Sequence, residues 1–331
     1  MRFFVRFVLL CCFSIALLSA VFFHWAGQAM DIQQATVPFR IAQGSSLRAA
    51  VQSMNAAGIP LDARLFGLLA RLRGQASAIR AGSYELVQGE TPDSLLAKLA
   101  SGKVSQAEIT LVEGWTFQQF RTRMLAHPEL IHDSAELSES DILRRLGLPH
   151  ASLEGRLLPD TYLFDKQSGE LALIARAAQA MQGKLDVLWQ ARPAGLPYHS
   201  PDDALIMASI IEKETGAEQD RPLVAAVFIN RLRIGMRLQT DPTVIYGLGA
   251  RFDGNLRRVD LTTDTPYNTY TRAGLPPTPI AMPGMAALRS AFSPAASDVL
   301  YFVARGDGSS QFSRTLGEHN HAVNQYQRGK K

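Results

Sequence analysis

A helix predicted over residues 201–214 ends in two glutamates, and these are the side chains best suited to acid–base chemistry. Ser200 is a favourable N-cap, a proline follows it, and two aspartates lie in the first turn. Residues 204–211 are apolar on nearly every face, so the helix is expected to be buried. Burial and the negative end of the helix dipole would both raise the pKa of Glu212 or Glu214, as a general acid working near neutral pH requires.

The alternative interpretation is that the two glutamates lie in a solvent-exposed last turn of the helix and have no catalytic role. Residues four apart share a helix face, so Glu214 lines up with Ile210 and Glu212 lines up with Ala208. Either carboxylate could then pair with a neighbouring cation such as Lys213. Residue types alone leave both interpretations open.

Polar and aromatic residues cluster in the segments that follow this helix. Amides, hydroxyls and tyrosine rings together suit the hydroxyls, amides and apolar ring faces of sugars, although each segment alone also fits ordinary turn chemistry. Asp241 precedes a proline and fits a simple turn cap equally well. The candidate substrate-binding residues are Asn230, Gln239, Thr240, Asp241, Tyr246, Tyr267, Asn268, Thr269 and Tyr270.

Several of these segments together resemble the YceG-like family of bacterial endolytic murein transglycosylases. The resemblance extends from about residue 35 to Tyr326 and includes many motifs in order. The motifs are residues 154–162, 208–215, 230–232, 238–247, 267–270, 274–277, 300–303 and 312–320.

The resemblance implies a lyase that cuts the β-1,4 bond between N-acetylmuramic acid and N-acetylglucosamine without water and leaves 1,6-anhydro ends. It places the catalytic acid in the segment 212–215. Glu214 is the first choice, because Glu214-Thr215 looks like the Glu-Ser pair of other lytic transglycosylases, and Glu212 is the alternative. One carboxyl group would serve as acid and then as base, unlike the usual pair in glycoside hydrolases.

The resemblance further implies peptidoglycan glycan strands as the substrate, no cofactor and no metal. A role in ending the growth of new strands would make cell-wall synthases candidate partners. Two other functions stay open at this point: a non-catalytic peptidoglycan-binding scaffold and a hydrolytic muramidase. A metal site at residues 318–321 is disfavoured, because His-x-His spacing lacks a third ligand.

The N-terminus predicts a membrane anchor. Residues 7–26 are almost wholly apolar, and a helix of about 20 such residues spans a bilayer core. Arg2 and Arg6 precede this run and the next basic residue is Arg40, so the positive-inside rule keeps the N-terminus in the cytoplasm. A cleaved signal peptide is the alternative, with its best small-residue site at 27–29. We expect a single-pass protein of the inner membrane with a periplasmic body.

The remaining elements predict an α+β protein. The predicted divisions are a cytoplasmic segment 1–6, a transmembrane helix 7–27, a small LysM-like α/β module 31–106 and a mixed α+β catalytic domain 107–331. The catalytic domain would contain the buried helix and a peripheral helical lobe at 127–147.

Composition narrows the class of protein. The chain has 331 residues, of which 47% are hydrophobic and 19% charged, values of an ordinary globular protein. The net charge is +4, which fits an anionic partner without selecting one, and an exported body makes nucleic acid an improbable ligand. The two cysteines, Cys11 and Cys12, lie in the apolar run, which excludes a disulfide scaffold and a thiol nucleophile in the body.

Overall fold

The computed structural model describes residues 2–328. Met1 of the predicted segment 1–6 and residues 329–331 of the predicted catalytic domain lie outside the described residues. The chain divides into two compact units. The first consists of Met1–Glu108 with the short segments Glu129–Ile131 and Leu163–Ser168, and the second contains the rest. The prediction of a mixed α+β protein with one apolar N-terminal helix is confirmed.

The helices and strands follow the capping signals of the sequence. The first unit contains α1 (Arg2–Gly27), β1 (Thr36–Ile41), α2 (Leu47–Ala56), α3 (Ala63–Leu72), β2 (Gly82–Val87) and α4 (Pro92–Ser101). The elements that follow are β3 (Gln106–Leu111), α5 (Phe117–Leu125), β4 (Leu130–Ile131), α6 (Glu139–Leu146), β5 (Asp160–Asp165), β6 (Ser168–Gly169), α7 (Glu170–Gln190), α8 (Pro201–Glu214), α9 (Arg221–Arg233), α10 (Asp241–Leu248), α11 (Arg258–Thr262), α12 (Met285–Phe292), β7 (Tyr301–Ala304), β8 (Ser310–Ser313) and α13 (Leu316–Val323).

Helix α1 is long and apolar enough to cross a membrane over Phe3–Gly27. At 1.5 Å per residue, 25 residues extend about 37 Å, which exceeds the roughly 30 Å of a bilayer core. Its outward side chains are exposed, whereas Ala26 joins the core of the first unit with Phe22 and Trp25 against it. The helix is therefore compatible with a single-pass membrane anchor.

The first unit has a core of its own. Strands β1 and β2 pair antiparallel, from Thr36 opposite Val87 to Ile41 opposite Gly82. The side chains of α2, α3 and α4 that face this pair are fully buried. Lys166, from a distant segment of the chain, also belongs to this unit. Its ammonium group lies 2.7 Å from the Glu85 carboxylate, and its backbone N–H donates to the Ser105 carbonyl.

Helix α8 is the centre of the second unit. Ser200 and Asp203 form a capping box at its start, and every residue from 204 to 211 is buried, as the sequence predicts. Helices α9 and α12 pack against it. The Ser209 hydroxyl donates to the Ile206 carbonyl at 2.7 Å and accepts the Ile280 N–H at 3.0 Å. This buried side chain thus fastens the extended segment before α12 to the middle of α8.

The segment predicted as a helical lobe, 127–147, is helical only in α6. Residues 130–131 instead form β4, which pairs with β6. The pairing partner lies some forty residues away, so the local polar pattern carries no sign of it. Strands β3 and β5 form another two-stranded sheet, and β7 and β8 form an antiparallel hairpin.

Candidate active site

Glu214 is the last residue of α8 and lines a cavity of about 600 Å³. We call it the Glu214 cavity, and Gln239, Asp241 and Tyr270 line it as well. The sequence therefore predicted four residues that the fold brings to one place. Glu214 is half-buried, so it is neither a solvated helix end nor enclosed in the core.

Thr240 holds the Glu214 carboxyl group through a hydrogen bond from its hydroxyl to Oε1. Thr240 is itself buried, and its N–H donates to the Thr269 hydroxyl at 3.1 Å. The Thr243 hydroxyl donates to the Thr240 carbonyl at 2.8 Å and lies 2.8 Å from the Thr269 hydroxyl. This small network of threonines fixes the loop before α10 against the loop 265–271, and with it the direction of the Glu214 side chain.

Gln239 has an uncommon backbone conformation, with φ of +49°. A residue other than glycine in the left-handed region costs about 1–2 kcal/mol, and such residues are often found at functional sites. Its N–H donates to the Thr269 carbonyl at 3.2 Å, and its side chain lines the Glu214 cavity. The loop thus holds the Gln239 amide at the cavity at a cost in backbone energy.

Burial raises the pKa of the Glu214 carboxyl group above its ordinary value. The Thr240 hydrogen bond opposes this shift, the negative charge of Asp241 adds to it, and Arg231 opposes it. Asp241 is held in turn by the Tyr270 hydroxyl, which donates to it at 2.6 Å. The carboxyl group therefore keeps its proton to a higher pH than an exposed glutamate would, which suits a general acid.

Three further residues of the Glu214 cavity were not predicted as ligands: Arg231, Tyr301 and His319. The Arg231 guanidinium donates to the Leu300 and Leu238 carbonyls and lies 5.4 Å from the centre of the Tyr301 ring. The Tyr301 and His319 rings stack at 5.2 Å. Because these residues come from α9, β7 and α13, only the tertiary structure could place them beside Glu214.

Burial and the nearby Arg231 both lower the pKa of the His319 imidazole, which favours its neutral form. Its Nδ1 is buried and has no hydrogen-bond partner within the described part of the chain. Together with Arg231, it gives the Glu214 cavity hydrogen-bonding groups as well as carboxylates.

Glu212, the alternative catalytic residue, has different surroundings. Its side chain is only 7% exposed and its Oε2 accepts the Gly284 N–H at 2.9 Å. Burial raises its pKa as well, and Glu113 adds to the shift. It does not line the Glu214 cavity, and its bond to Gly284 joins α8 to the start of α12.

Other predicted ligands have their polar atoms engaged within the protein. The Asn230 amide donates to the Ser297 and Val299 carbonyls. The fully buried Asn268 amide faces three backbone carbonyls, and its Oδ1 accepts the Tyr270 N–H. Thr269 belongs to the buried threonine network. Their role as direct ligands stays a prediction, and the contacts indicate that they shape the loops.

Tyr246 and Tyr267 line a second cavity, of about 770 Å³, which we call the Glu154 cavity. Glu154 is 4% exposed, accepts the Phe117 N–H at 3.1 Å and accepts the Tyr246 hydroxyl at 3.2 Å. Burial raises the pKa of Glu154 to about 7, against the effect of those two donors. Glu154 was not among the residues predicted to be functional from the sequence, although it belongs to the motif at residues 154–162.

The raised pKa of Glu154 predicts how the free energy of unfolding depends on pH. The folded protein binds this proton more tightly than the unfolded chain, so the free energy of unfolding should fall as pH rises from about 4.5 to about 7. The fall from this one group is at most about 3 kcal/mol, at 1.36 kcal/mol per pKa unit. Glu154→Gln cannot titrate and should give a flatter stability curve in that window, measured by urea unfolding at several pH values. The exposed Glu136→Gln is the control, and an equal flattening in both variants would refute the assignment.

Comparison with known proteins identifies relatives over most of the chain. The model of the family described as the YceG-like family matches residues 39–325. A protein of Bacillus subtilis named endolytic murein transglycosylase is 33% identical over 309 residues, which cover 88% of this chain and 85% of that protein. A Streptococcus pneumoniae protein of the same name is 27% identical over 86% of this chain, but this chain spans only 57% of its length. A crystal structure of a YceG-like protein from Listeria monocytogenes is 31% identical, covers 87% of this chain and 98% of that chain, and aligns with a TM-score of 0.54.

Proposed function

This chain belongs to the YceG-like family, and from that premise we propose that it is an endolytic murein transglycosylase that cuts glycan strands of peptidoglycan. The observation that supports the chemistry best is the half-buried Glu214 at the end of α8, held by Thr240 in a cavity that Gln239 and Tyr270 also line. The family resemblance noted from the sequence motifs is confirmed.

In the proposed reaction, Glu214 acts first as an acid. Thr240 holds Oε1, so Oε2 carries the proton and gives it to the glycosidic oxygen between N-acetylmuramic acid and N-acetylglucosamine. The C1–O bond breaks and positive charge develops at C1 of the muramic sugar. Glu214, now a carboxylate, lies next to this charge and stabilises it.

The same carboxylate then acts as a base. It takes the proton of the C6 hydroxyl of the muramic sugar, whose oxygen bonds to C1 and closes a 1,6-anhydro ring. Glu214 regains its proton, so the cycle needs no water and no second catalytic carboxylate. Acid and base catalysis of this kind each contribute about 10²–10⁴-fold, and positioning by the cavity must supply the rest.

We assign the other residues of the Glu214 cavity to binding. Gln239 and Arg231 are placed to hold the amide, hydroxyl or carboxylate groups of the sugars, and the ring of Tyr270 offers an apolar face. We further propose that α1 anchors the protein in the inner membrane with its N-terminus in the cytoplasm and its body in the periplasm. The LysM-like module, residues 31–106, would bind glycan, and cell-wall synthases are the proposed protein partners.

Product analysis tests the proposed function. Purified full-length protein in detergent is incubated with purified peptidoglycan sacs, and the soluble fragments are identified by mass spectrometry. We expect fragments with 1,6-anhydro-muramic ends, released from within strands. Reducing ends would instead identify a hydrolase, and the absence of any fragments would leave a binding protein.

The pH dependence of the reaction tests the role of Asp241. Its negative charge raises the pKa of Glu214, so Asp241→Asn should lower that pKa. Because the protonated carboxyl group is the active form, the fall of kcat on the alkaline side should move to lower pH. The Asn side chain can still accept the Tyr270 hydroxyl, so the loop stays in place. The exposed Asp298→Asn removes the same charge elsewhere and should leave the profile unchanged; an unmoved profile in Asp241→Asn would contradict this role.

A further inference from the structure

The Glu154 cavity has no task in the reaction described above. It is somewhat larger than the Glu214 cavity, and all of its described lining residues belong to the second unit. Four aromatic residues line it: the buried Phe117, and Tyr246, Phe252 and Tyr267. A cavity of this size with several aromatic walls and a few polar groups has the general character of a ligand site.

Two of the aromatic rings, Tyr246 and Tyr267, are held by contacts with each other and with Thr278. The rings of Tyr246 and Tyr267 meet edge to face, with their centres 5.0 Å apart. The Tyr267 hydroxyl is bound to the Thr278 hydroxyl at 2.8 Å. Phe252 is half-buried and makes up the third wall. Rigid rings of this kind can pack against the apolar face of a sugar with little loss of conformational freedom.

Two acidic side chains, Glu139 and Glu154, lie among the polar groups of the cavity, beside the amides of Gln118 and Gln119. The Glu139 carboxylate accepts the Ser152 hydroxyl at 2.8 Å and the Leu153 N–H at 2.5 Å, and Glu154 accepts from Phe117 and Tyr246. No lysine or arginine is among the described residues that line it. The cavity therefore favours a ligand that donates hydroxyl or amide hydrogens, and it disfavours one that carries a carboxylate. The Glu214 cavity differs, since Arg231 lines it.

Two elements connect the two cavities. Helix α10 presents Asp241 to the Glu214 cavity and Tyr246 to the Glu154 cavity, and five residues of helix correspond to about 7.5 Å along its axis. The loop 265–271 likewise places Tyr270 in one cavity and Tyr267 in the other. The two cavities therefore share α10 and the loop 265–271 as parts of their walls.

We propose that the Glu154 cavity is a second carbohydrate site, which holds a neutral amino sugar of the glycan strand, of the N-acetylglucosamine type, away from the bond that is cut. This inference rests on the proposed function for the identity of the strand. The rings of Tyr246, Tyr267 and Phe252 form the stacking walls, and Glu139 and Glu154 accept hydrogens from the sugar. An N-acetylmuramic unit, whose lactyl group is a carboxylate, would be repelled there by the Glu139 carboxylate.

Binding of the linear tetramer of N-acetylglucosamine tests the proposal. Full-length protein in detergent is titrated calorimetrically, in the Glu214→Gln background so that no cleavage occurs. Phe252→Ala removes one wall and should weaken binding about tenfold, because a lost stacking contact of about 1.4 kcal/mol corresponds to that factor. Phe252→Leu keeps the apolar bulk without the ring and should also weaken binding, whereas Phe252→Tyr should bind like the parent. Thermal unfolding of each variant confirms that it is folded.

Two results would overturn the proposal. One is the absence of tetramer binding by the parent protein. The other is tetramer binding that none of the Phe252 variants weakens, because the sugar would then occupy the Glu214 cavity or the LysM-like module instead. Gln239→Ala weakens binding only in the first of these two cases. The activity assay of the wild-type protein is separate. If no 1,6-anhydro ends form but Phe252-dependent binding persists, the proposed function fails and this site stands; the reverse result rejects only this site.

Discussion

Replacing Glu214 with glutamine is expected to reduce the release of 1,6-anhydro ends by at least about 1,000-fold, since both the acid and the base step depend on this side chain. Glutamine has nearly the same shape and can still accept the Thr240 hydroxyl, so the cavity should keep its form. What it lacks is a transferable proton. The rate of release from peptidoglycan sacs, measured by mass spectrometry, should fall to background while the melting temperature changes little.

Glu212→Gln is the matched control, two residues away on the same helix. The glutamine oxygen can still accept the Gly284 N–H, so the junction of α8 and α12 should survive. We expect a loss of activity below about tenfold, because this side chain does not reach the Glu214 cavity. If instead Glu212→Gln abolishes the anhydro products and Glu214→Gln does not, the catalytic assignment is wrong.

The largest expected effect on stability comes from Asn268→Asp. The Asn268 amide group faces the backbone carbonyls of Asp260, Leu261 and Thr263 at 2.7–3.2 Å, and the side chain is fully buried. Aspartate has the same shape but no hydrogens to donate when ionised, so an oxygen would face those carbonyls without a hydrogen bond. Leaving such buried groups unsatisfied should cost about 3 kcal/mol or more.

For a protein of this size, that loss corresponds to a melting temperature lower by roughly 5 °C. Activity should fall too, because Thr269 and Tyr270 follow Asn268 directly in the loop. Asn255→Asp makes the same chemical change at an exposed position nearby and should leave the melting temperature within about a degree. Equal melting temperatures for the two variants would show that Asn268 does not hold the loop.

Local signals made helix α8 predictable. The Ser200 cap, the proline after it and the apolar run lie within a dozen residues, and each acts through neighbours in the chain. The strands and helices of the first unit were predictable for the same reason, as with the Thr91 cap of α4. In such segments local propensity and tertiary packing agree, so sequence patterns are sufficient.

The sequence did not predict which side chains of the loop line a cavity and which bond to the backbone. Tyr267 and Tyr270 are three residues apart in one loop, yet they line different cavities. Asn268 between them is predicted as a sugar ligand from its residue type, which gave no sign that its amide also bonds to the backbone. Whether a loop side chain faces ligand or backbone depends on contacts with distant elements, and neither residue type nor spacing records those contacts. The same holds for Tyr301 and His319, which reach Glu214 only through the tertiary structure.

The first unit includes two short segments, Glu129–Ile131 and Leu163–Ser168. Both follow, in the sequence, residues that belong to the second unit. During synthesis, the ribosome must therefore translate past residue 168 before the ion pair between Lys166 and Glu85 can form. The N-terminal part therefore gains these contacts only after its own core, which lies within residues 26–99, has been synthesised. A chain that ends near residue 108 would contain this core but lack the Lys166–Glu85 ion pair.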